Sequence, residues 1–441
     1  MKNPFLFSLI LTAFLVVTSS KSMGSQPLDQ LAEDYVKLAL VLGAYAPGYI
    51  DAYYGPEAWV VKHDDSVLRR GFPASELRKK ANSLIKSLDA AARSELSALE
   101  KLRCEFLGKQ MIALKAEIDV LSGIKFSFDQ ESKLFYDAVA PVRRREEFER
   151  TITALEGLLP GNGSLIERIT ALRKDFIIPA DKLPAVFDAA ISECRRRTLA
   201  HIALPQNENF KAEYVKNKPW GAYNWYKGSA FSVIEVNTDL PMDISGPLRL
   251  AAHEGYPGHH VYNALLEQKL VKERGWIEFT VYPLFSPQSL IAEGTANYGM
   301  ELLFSAEERM RFEKDVLYPL AGLDPRQAAK FAQVRKLIGG LRYAENEAAR
   351  GYLDGRISKE DAIEWLTRYA LESPERAAKS IDFWKQYRSY IINYNLGQDV
   401  IRNYMEETAG TDHSLKKKWE IFYDILSTPR TPSGLSELGR R

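Results

Sequence analysis

Apolar residues recur at three- and four-residue spacing through most of this chain, which predicts amphipathic helices. The pattern runs through "PLDQLAEDYVKLALVLGAY" (27–45), through residues 75–123, "QESKLFYDAV" (130–139), "SLIERITALRKDF" (164–176) and "LPAVFDAAISECRRRTLAHI" (183–202). It returns at 325–353, 358–371 and 373–394, where Ser358 and Asp361 resemble a capping box with Asp in place of Glu. Two stretches break it. "YAPGYIDAYYGPEAW" (45–59) is aromatic and punctuated by Gly and Pro, so it predicts a loop, either a Tyr-rich packing corner or a cleft wall. "YNWY" and "FSVIEVNT" are strand-like and joined by "KGSA", which predicts a hairpin. The Pro-rich tail "STPRTPSGLSELGRR" predicts a frayed end. The fold class is therefore mainly α with a small β hairpin. Its expected units are 25–210, an N-terminal helical half; 211–427, the second half of the same catalytic unit; and 428–441, a flexible tail.

The hairpin leads directly into "ISGPLRLAAHEGYPGHH". Ser245 suits an N-cap and Pro247 a first turn, which places His253 and Glu254 on a helix. In a zinc helix of the HExxH kind the two histidines stand four apart, about 40° around and about 6 Å along the axis, so both rings reach one ion. Here the fourth position is Pro257; His259 and His260 follow two and three residues later. On an unbroken helix His259 points about 240° away and His260 sits about 10 Å along. Pro257 removes an N–H and crowds the carbonyl of His253, and Gly258 is free to take left-handed angles. Together they can bulge two residues out of the helix and return a histidine to the site. Helical arithmetic leaves His259 and His260 both open.

A third ligand is offered downstream. "SPQSLIAEGTANYGMELLF" starts with Ser286 and Pro287, a good helix start, and carries Glu293 beside Gly294, with Gly299 beyond. Glycine inside a helix costs about 1 kcal/mol against Ala, and close approach of another helix, such as the one bearing His253, would explain it. Glu301 can orient a ligand histidine or stay solvated. His63, His201 and His413 lie outside any ligand spacing.

"HEGYPGHH" followed by "AEGTANYG" resembles the domain-of-unknown-function 885 family, predicted zinc peptidases of the gluzincin-like superfamily, and "GYIDAYYGP" and "WYKGSAFSVIEVNTDLP" are similar to parts of it. The resemblance covers roughly residues 45–410. It implies a zincin-like helical fold and one zinc ion. It also implies His253, His259 and Glu293 as metal ligands, Glu254 as general base, and a peptide or peptide-like substrate. Thr295 stands where that family often has Trp, which implies a different pocket wall. A helical stabiliser of the oxyanion is sought among Tyr256, Arg388, Tyr390 and Tyr394. Two other readings stand beside the peptidase: a non-catalytic metal-containing binding protein, and a hydrolase of non-peptide amides or esters.

Composition narrows the setting. A net charge of +1 gives no field for nucleic acid. Residues 1–24 read as a secretory signal, with Lys2 before "PFLFSLILTAFLVV" and small residues after it, so the chain is expected to be exported to periplasm or medium; an uncleaved anchor is the alternative. No Cys stands where a lipoprotein needs one. The two cysteines, Cys104 and Cys194, can pair in an oxidising compartment or remain two buried thiols.

Overall fold

The computed structural model describes residues 25–61, 71–218, 220–239 and 241–438. The signal-like segment and His63 lie outside them. The chain is mainly helical with two small sheets. Its N-terminal part comprises α1 (Ser25–Gly43), α2 (Ala74–Ala91), α3 (Ala98–Leu121), α4 (Phe128–Tyr136), α5 (Arg145–Leu158), α6 (Leu165–Lys174) and α7 (Leu183–Leu199). The periodic run 75–123 is two helices, because Ser97 and Glu100 form a capping box that opens α3. Capping boxes also open α4 and α6.

The stretch expected as a loop at 45–59 contains a strand, β1 (Ile50–Tyr53), antiparallel to β5 (Val281–Pro283). Four residues beside Gly and Pro carry too little pattern to announce it, and its partner lies far along the chain. The hairpin is present as expected: β3 (Ala222–Tyr226) pairs antiparallel with β4 (Phe231–Asn237), and Lys227–Ala230 make the turn. A third strand, β2 (Asn209–Val215), runs parallel to β4, giving the order β2-β4-β3. In β4 the buried residues alternate, with Ser232, Ile234 and Val236 turned inward, as a half-buried strand requires.

After the sheet come α8 (Ser245–Leu250), α9 (His259–Leu266) and α10 (Pro287–Leu303). The rest is α11 (Ala306–Phe312), α12 (Tyr318–Ala321), α13 (Ala328–Gly339), α14 (Ala344–Leu353), α15 (Lys359–Trp365), α16 (Pro374–Tyr387), α17 (Ile392–Ala409), α18 (Leu415–Ser427) and α19 (Pro432–Leu438). The capping box at Ser358 and Asp361 opens α15. The tail does not fray through 438: Leu435 is buried, and Ser433 N donates to Asp137 Oδ2 at 3.0 Å. No described helix is long and apolar enough to cross a membrane.

Two apolar cores organise these elements. One joins α1–α3 and α7 to α8–α10 and α18; the other joins α3–α6 to α13–α17. Neither is confined to one half of the sequence. Cys104 and Cys194 are both free and buried. His201 stacks on Trp419 at 4.9 Å, and His413 is exposed.

The buried helix α10 lies against α17 at two facing glycines. A Cβ on Gly294 would come within 2.5 Å of Gly397, and one on Gly397 within 2.6 Å of Leu290 O. Backbone meets backbone there, so nothing can swing aside. Gly397→Ala is expected to destabilise by about 1–3 kcal/mol or more. Gly108→Ala, on α3 where a Cβ meets nothing within 4 Å, is expected to gain about 0.4–1 kcal/mol. Denaturant midpoints check both; equal midpoints for the two variants would contradict the packing argument.

Candidate metal centre

The site begins with Asp243. Its Oδ1 accepts from Ser245 N at 3.1 Å and from Ser245 Oγ at 2.5 Å, while Arg173 holds Oδ2 at 2.8 Å. Ser245, expected as the N-cap, is thus the first helical residue; Ile244 takes the N-cap position, and the Asp243 carboxylate accepts the Ser245 N–H. From Ala251 to Gly255 the helix widens into a five-residue turn, closed by Tyr256 N on Ala251 O at 2.9 Å. Tyr256 is then extended, the Tyr256–Pro257 peptide is cis, and Gly258 N returns to Ala252 O at 2.9 Å. Helix resumes at His259. A wide turn of this kind often marks a functional site.

Gly258 is free to take left-handed angles. It does not: its φ is −74°. Glycine is needed for closeness instead, because a Cβ would lie 1.8 Å from His253 O. Pro257 nests on Gly299 of α10, where a Cβ would meet Pro257 Cγ at 2.8 Å. Of the two unusual glycines in α10, Gly299 therefore admits the His253 segment and Gly294 admits α17.

The bulge settles which histidine faces His253. His259 Nε2 lies 3.2 Å from His253 Nε2, with the rings at 89°. Glu293 Oε2 lies 3.3 Å from His253 Nε2 and 3.7 Å from His259 Nε2. The three ligand atoms fall within 4.8 Å of one another, a group that can hold a metal ion. His260 goes the other way. Its ring is fully buried, with Nδ1 2.9 Å from Ser232 Oγ and Nε2 3.1 Å from Glu208 Oε2. Glu208 also takes the Tyr256 hydroxyl at 2.6 Å and Arg195 at 2.6 Å. This network ties the bulge to the sheet.

Does the donor set suit a cation? Glu293 Oε2 is buried without a hydrogen bond, while Tyr390 donates to Oε1 at 2.9 Å. Asn297 Nδ2 donates to Tyr394 O at 2.8 Å, so its Oδ1 is the acceptor for His253 Nδ1 at 3.0 Å. His253 then carries its proton on Nδ1 and offers a lone pair at Nε2, an arrangement usual for metal-binding histidine. Two imidazole nitrogens and a carboxylate oxygen match the preferences of zinc. The residues fit.

Electrostatics agree. Burial opposes charge on His259, but the Glu293 carboxylate raises its pKa to about 9. Burial pushes Glu293 up, and the two imidazoles more than reverse this, holding it well below the carboxylate range. Glu254 is buried, its carbonyl accepts from Asn224 Nδ2 at 2.7 Å, and its carboxylate has no hydrogen bond or ion pair among the described residues.

The other candidates separate cleanly. Arg388 is bound to Glu131, and Tyr256 to Glu208. Glu301 is held by Arg402 at 2.5 Å and Gln398 at 2.6 Å, so it orients no histidine. Thr295 is fully buried, its hydroxyl bonded to Ile291 O and Ala292 O of its own helix, and it forms no open pocket wall. Tyr394 is 37% exposed, and its hydroxyl has no partner among the described residues. Burial and the fields of Glu293 and Glu254 push that phenol up.

Sequence reasoning missed Asn297, although it stands four residues after Glu293 on the same helix face. It also missed Asp51 of β1, which accepts from the Tyr223 hydroxyl and feels the charges of His259 and Glu293; burial raises its pKa to about 6.

No family model matches this chain, and no curated protein does. Among solved structures it is similar to the "putative lipoprotein from Colwellia psychrerythraea", with a TM-score of 0.53 and 16% identity over 83% of this chain. The match covers 66% of that protein, so the chain spans just under two thirds of its length. This likeness is one of fold alone. An M32 carboxypeptidase from Deinococcus radiodurans R1 aligns over 94% of this chain and 98% of its own, with a TM-score of 0.37 and 14% identity.

The raised pKa of His259 makes metal uptake pH-dependent. In the metal-free protein the His259–Glu293 attraction is complete below the ordinary histidine value of about 6.5, and is lost as pH rises through about 9. An entering cation must displace that proton. Zinc affinity is therefore expected to rise up to about tenfold per pH unit between about 7 and 9, with about one proton released per ion. Titration calorimetry in buffers of different ionisation enthalpy reads this directly; binding near pH 7 without proton release would contradict it.

Proposed function

We propose that this chain is a zinc-dependent peptidase of the kind the domain-of-unknown-function 885 resemblance implies, exported by way of residues 1–24. The observation that carries the reading is the meeting of His253, His259 and Glu293 beside an unpaired Glu254 carboxylate. A closed structural zinc site uses four protein ligands; here three converge, which leaves room for a reacting group. An ion held by these three supplies Lewis acidity to a substrate carbonyl and to water.

The chain's own residues then divide the work. Glu254, with its carbonyl pinned to β3 by Asn224, takes a proton from the attacking water on its carboxylate and returns it to the leaving amine nitrogen. Tyr394 donates its free hydroxyl to the carbonyl oxygen as that atom gains charge. Asn297 and Tyr390 hold His253 and Glu293 in place. In the order β2-β4-β3, the outer edge of β3 has no strand partner among the described residues, and Asn224 brings that strand beside the site. An extended peptide added to this edge is held by main-chain hydrogen bonds.

The test is zinc content and turnover of a mixed peptide library, wild type against Glu254→Gln. The expected result is one zinc per chain in both proteins and a turnover about 10²–10⁴-fold lower in the variant. Undiminished turnover by Glu254→Gln, or no cleavage by fully loaded wild type, would overturn the reading.

A further inference from the structure

Arg249 stands on α8 four residues before His253, about one helical turn and about 6 Å along the axis from it. Its side chain is exposed to solvent, yet the surrounding protein pushes its guanidinium pKa down. Both facts hold together if it lines a cleft. It makes no hydrogen bond, ion pair or ring contact among the described residues. Its charged neighbours are Glu254, Asp243, Arg309 and Arg376. Asp243 is already held by Arg173 and Ser245, and Arg309 by Glu313 at 2.7 Å. Glu254 is the free carboxylate of the site itself. Arg376 of α16 is a second exposed guanidinium without an ion pair among the described residues, though Glu345 and Glu372 feel its charge.

Two like charges stand near this cation and no partner among the described residues holds it, whereas surface arginines in this chain are commonly paired. Arg249 is not tied to any part of the fold, so removing it frees no buried group. A planar fork of N–H donors matches a carboxylate in two-point contact. An extended peptide advances about 3.3 Å per residue, so one turn of helix corresponds to roughly two residues of substrate.

We infer that Arg249 is a specificity-determining residue that binds a carboxylate of the substrate roughly one to three residues from the cleaved bond. This rests on the peptidase reading above and deepens it. The carboxylate has two sources: the free C-terminus of a short peptide, or an Asp or Glu side chain within a longer one. Either supplies the missing anion.

The experiment compares three matched peptides: one with a free C-terminal carboxylate, the same peptide as its amide, and an amide carrying Glu two residues from the scissile bond. Wild type is expected to cleave at least one of the carboxylate forms about 10–100-fold better than the plain amide in kcat/KM, with the gain in KM. Arg249→Gln is expected to erase that preference, and Arg249→Lys to keep part of it. Preference for the free acid assigns the C-terminus; preference for the Glu amide assigns a side chain; both support the inference. Binding of the same peptides to zinc-loaded Glu254→Gln, with and without Arg249→Gln, separates this claim from the chemistry. Selective binding of a carboxylate form that needs Arg249 supports the site even where wild type cleaves nothing. Cleavage by wild type with no carboxylate preference, or a preference that survives Arg249→Gln, overturns it and leaves the peptidase reading standing.

Discussion

Everything at this site depends on how closely Gly258 lies against the backbone of His253. A single extra carbon there would sit 1.8 Å from a carbonyl oxygen, so no other residue permits the chain to fold back so tightly. That contact lets two residues leave the helix and brings His259 to face His253. Pro257, pushed outward by the same turn, fits against Gly299, and the next turns of α10 meet α17 at Gly294 and Gly397. Three close contacts therefore set the relative positions of the segments that carry both imidazoles, the carboxylate and Tyr394. Such contacts leave little freedom, because dense interiors resist displacement.

The electrostatic consequence follows from that placement. Glu293 and Glu254 both approach the paired imidazoles, with Asp51 within range of their charge. With the histidines neutral the patch is an excess of negative charge in a buried setting, which a divalent cation offsets. Without a cation the same excess is met by protonating His259, which is why its pKa is raised. The second layer is built by neutral groups: Asn297, Tyr390 and Asn224 orient the charged residues without adding charge of their own. Arg249 stays outside these pairings, and its charge remains available to something that enters the cleft.

Much of this could be read from the residues in order. Periodicity announces most helices, and capping pairs such as Ser358 with Asp361 mark their starts. Ser97 with Glu100 gave the same signal, but the unbroken apolar spacing across 75–123 concealed the gap before it. The hairpin turn Lys227–Ala230 was visible because both strands are adjacent in sequence. The helices Arg145–Leu158 and Leu415–Ser427 went unmarked, and β1, β2 and β5 were not legible, since each depends on partners far away or on a strand face with few apolar residues. At the site, the candidates were legible and the arrangement was not. An ideal helix cannot distinguish His259 from His260; only the wide turn and the Glu208 network, which takes His260 into the interior, do so. Asn297 and Asp51 belong to ordinary-looking stretches, and their roles come from what the fold places beside them.

X-ray absorption at the zinc edge of the purified protein counts the atoms around the ion, and so reads whether both imidazoles hold it. The expected result is one zinc per chain with two imidazoles and light oxygen donors at about 2.0–2.2 Å, and a loss of one imidazole in His259→Ala but not in His260→Ala. An ion with sulfur neighbours, a single imidazole in the wild type, or a spectrum altered by His260→Ala in place of His259→Ala would contradict it.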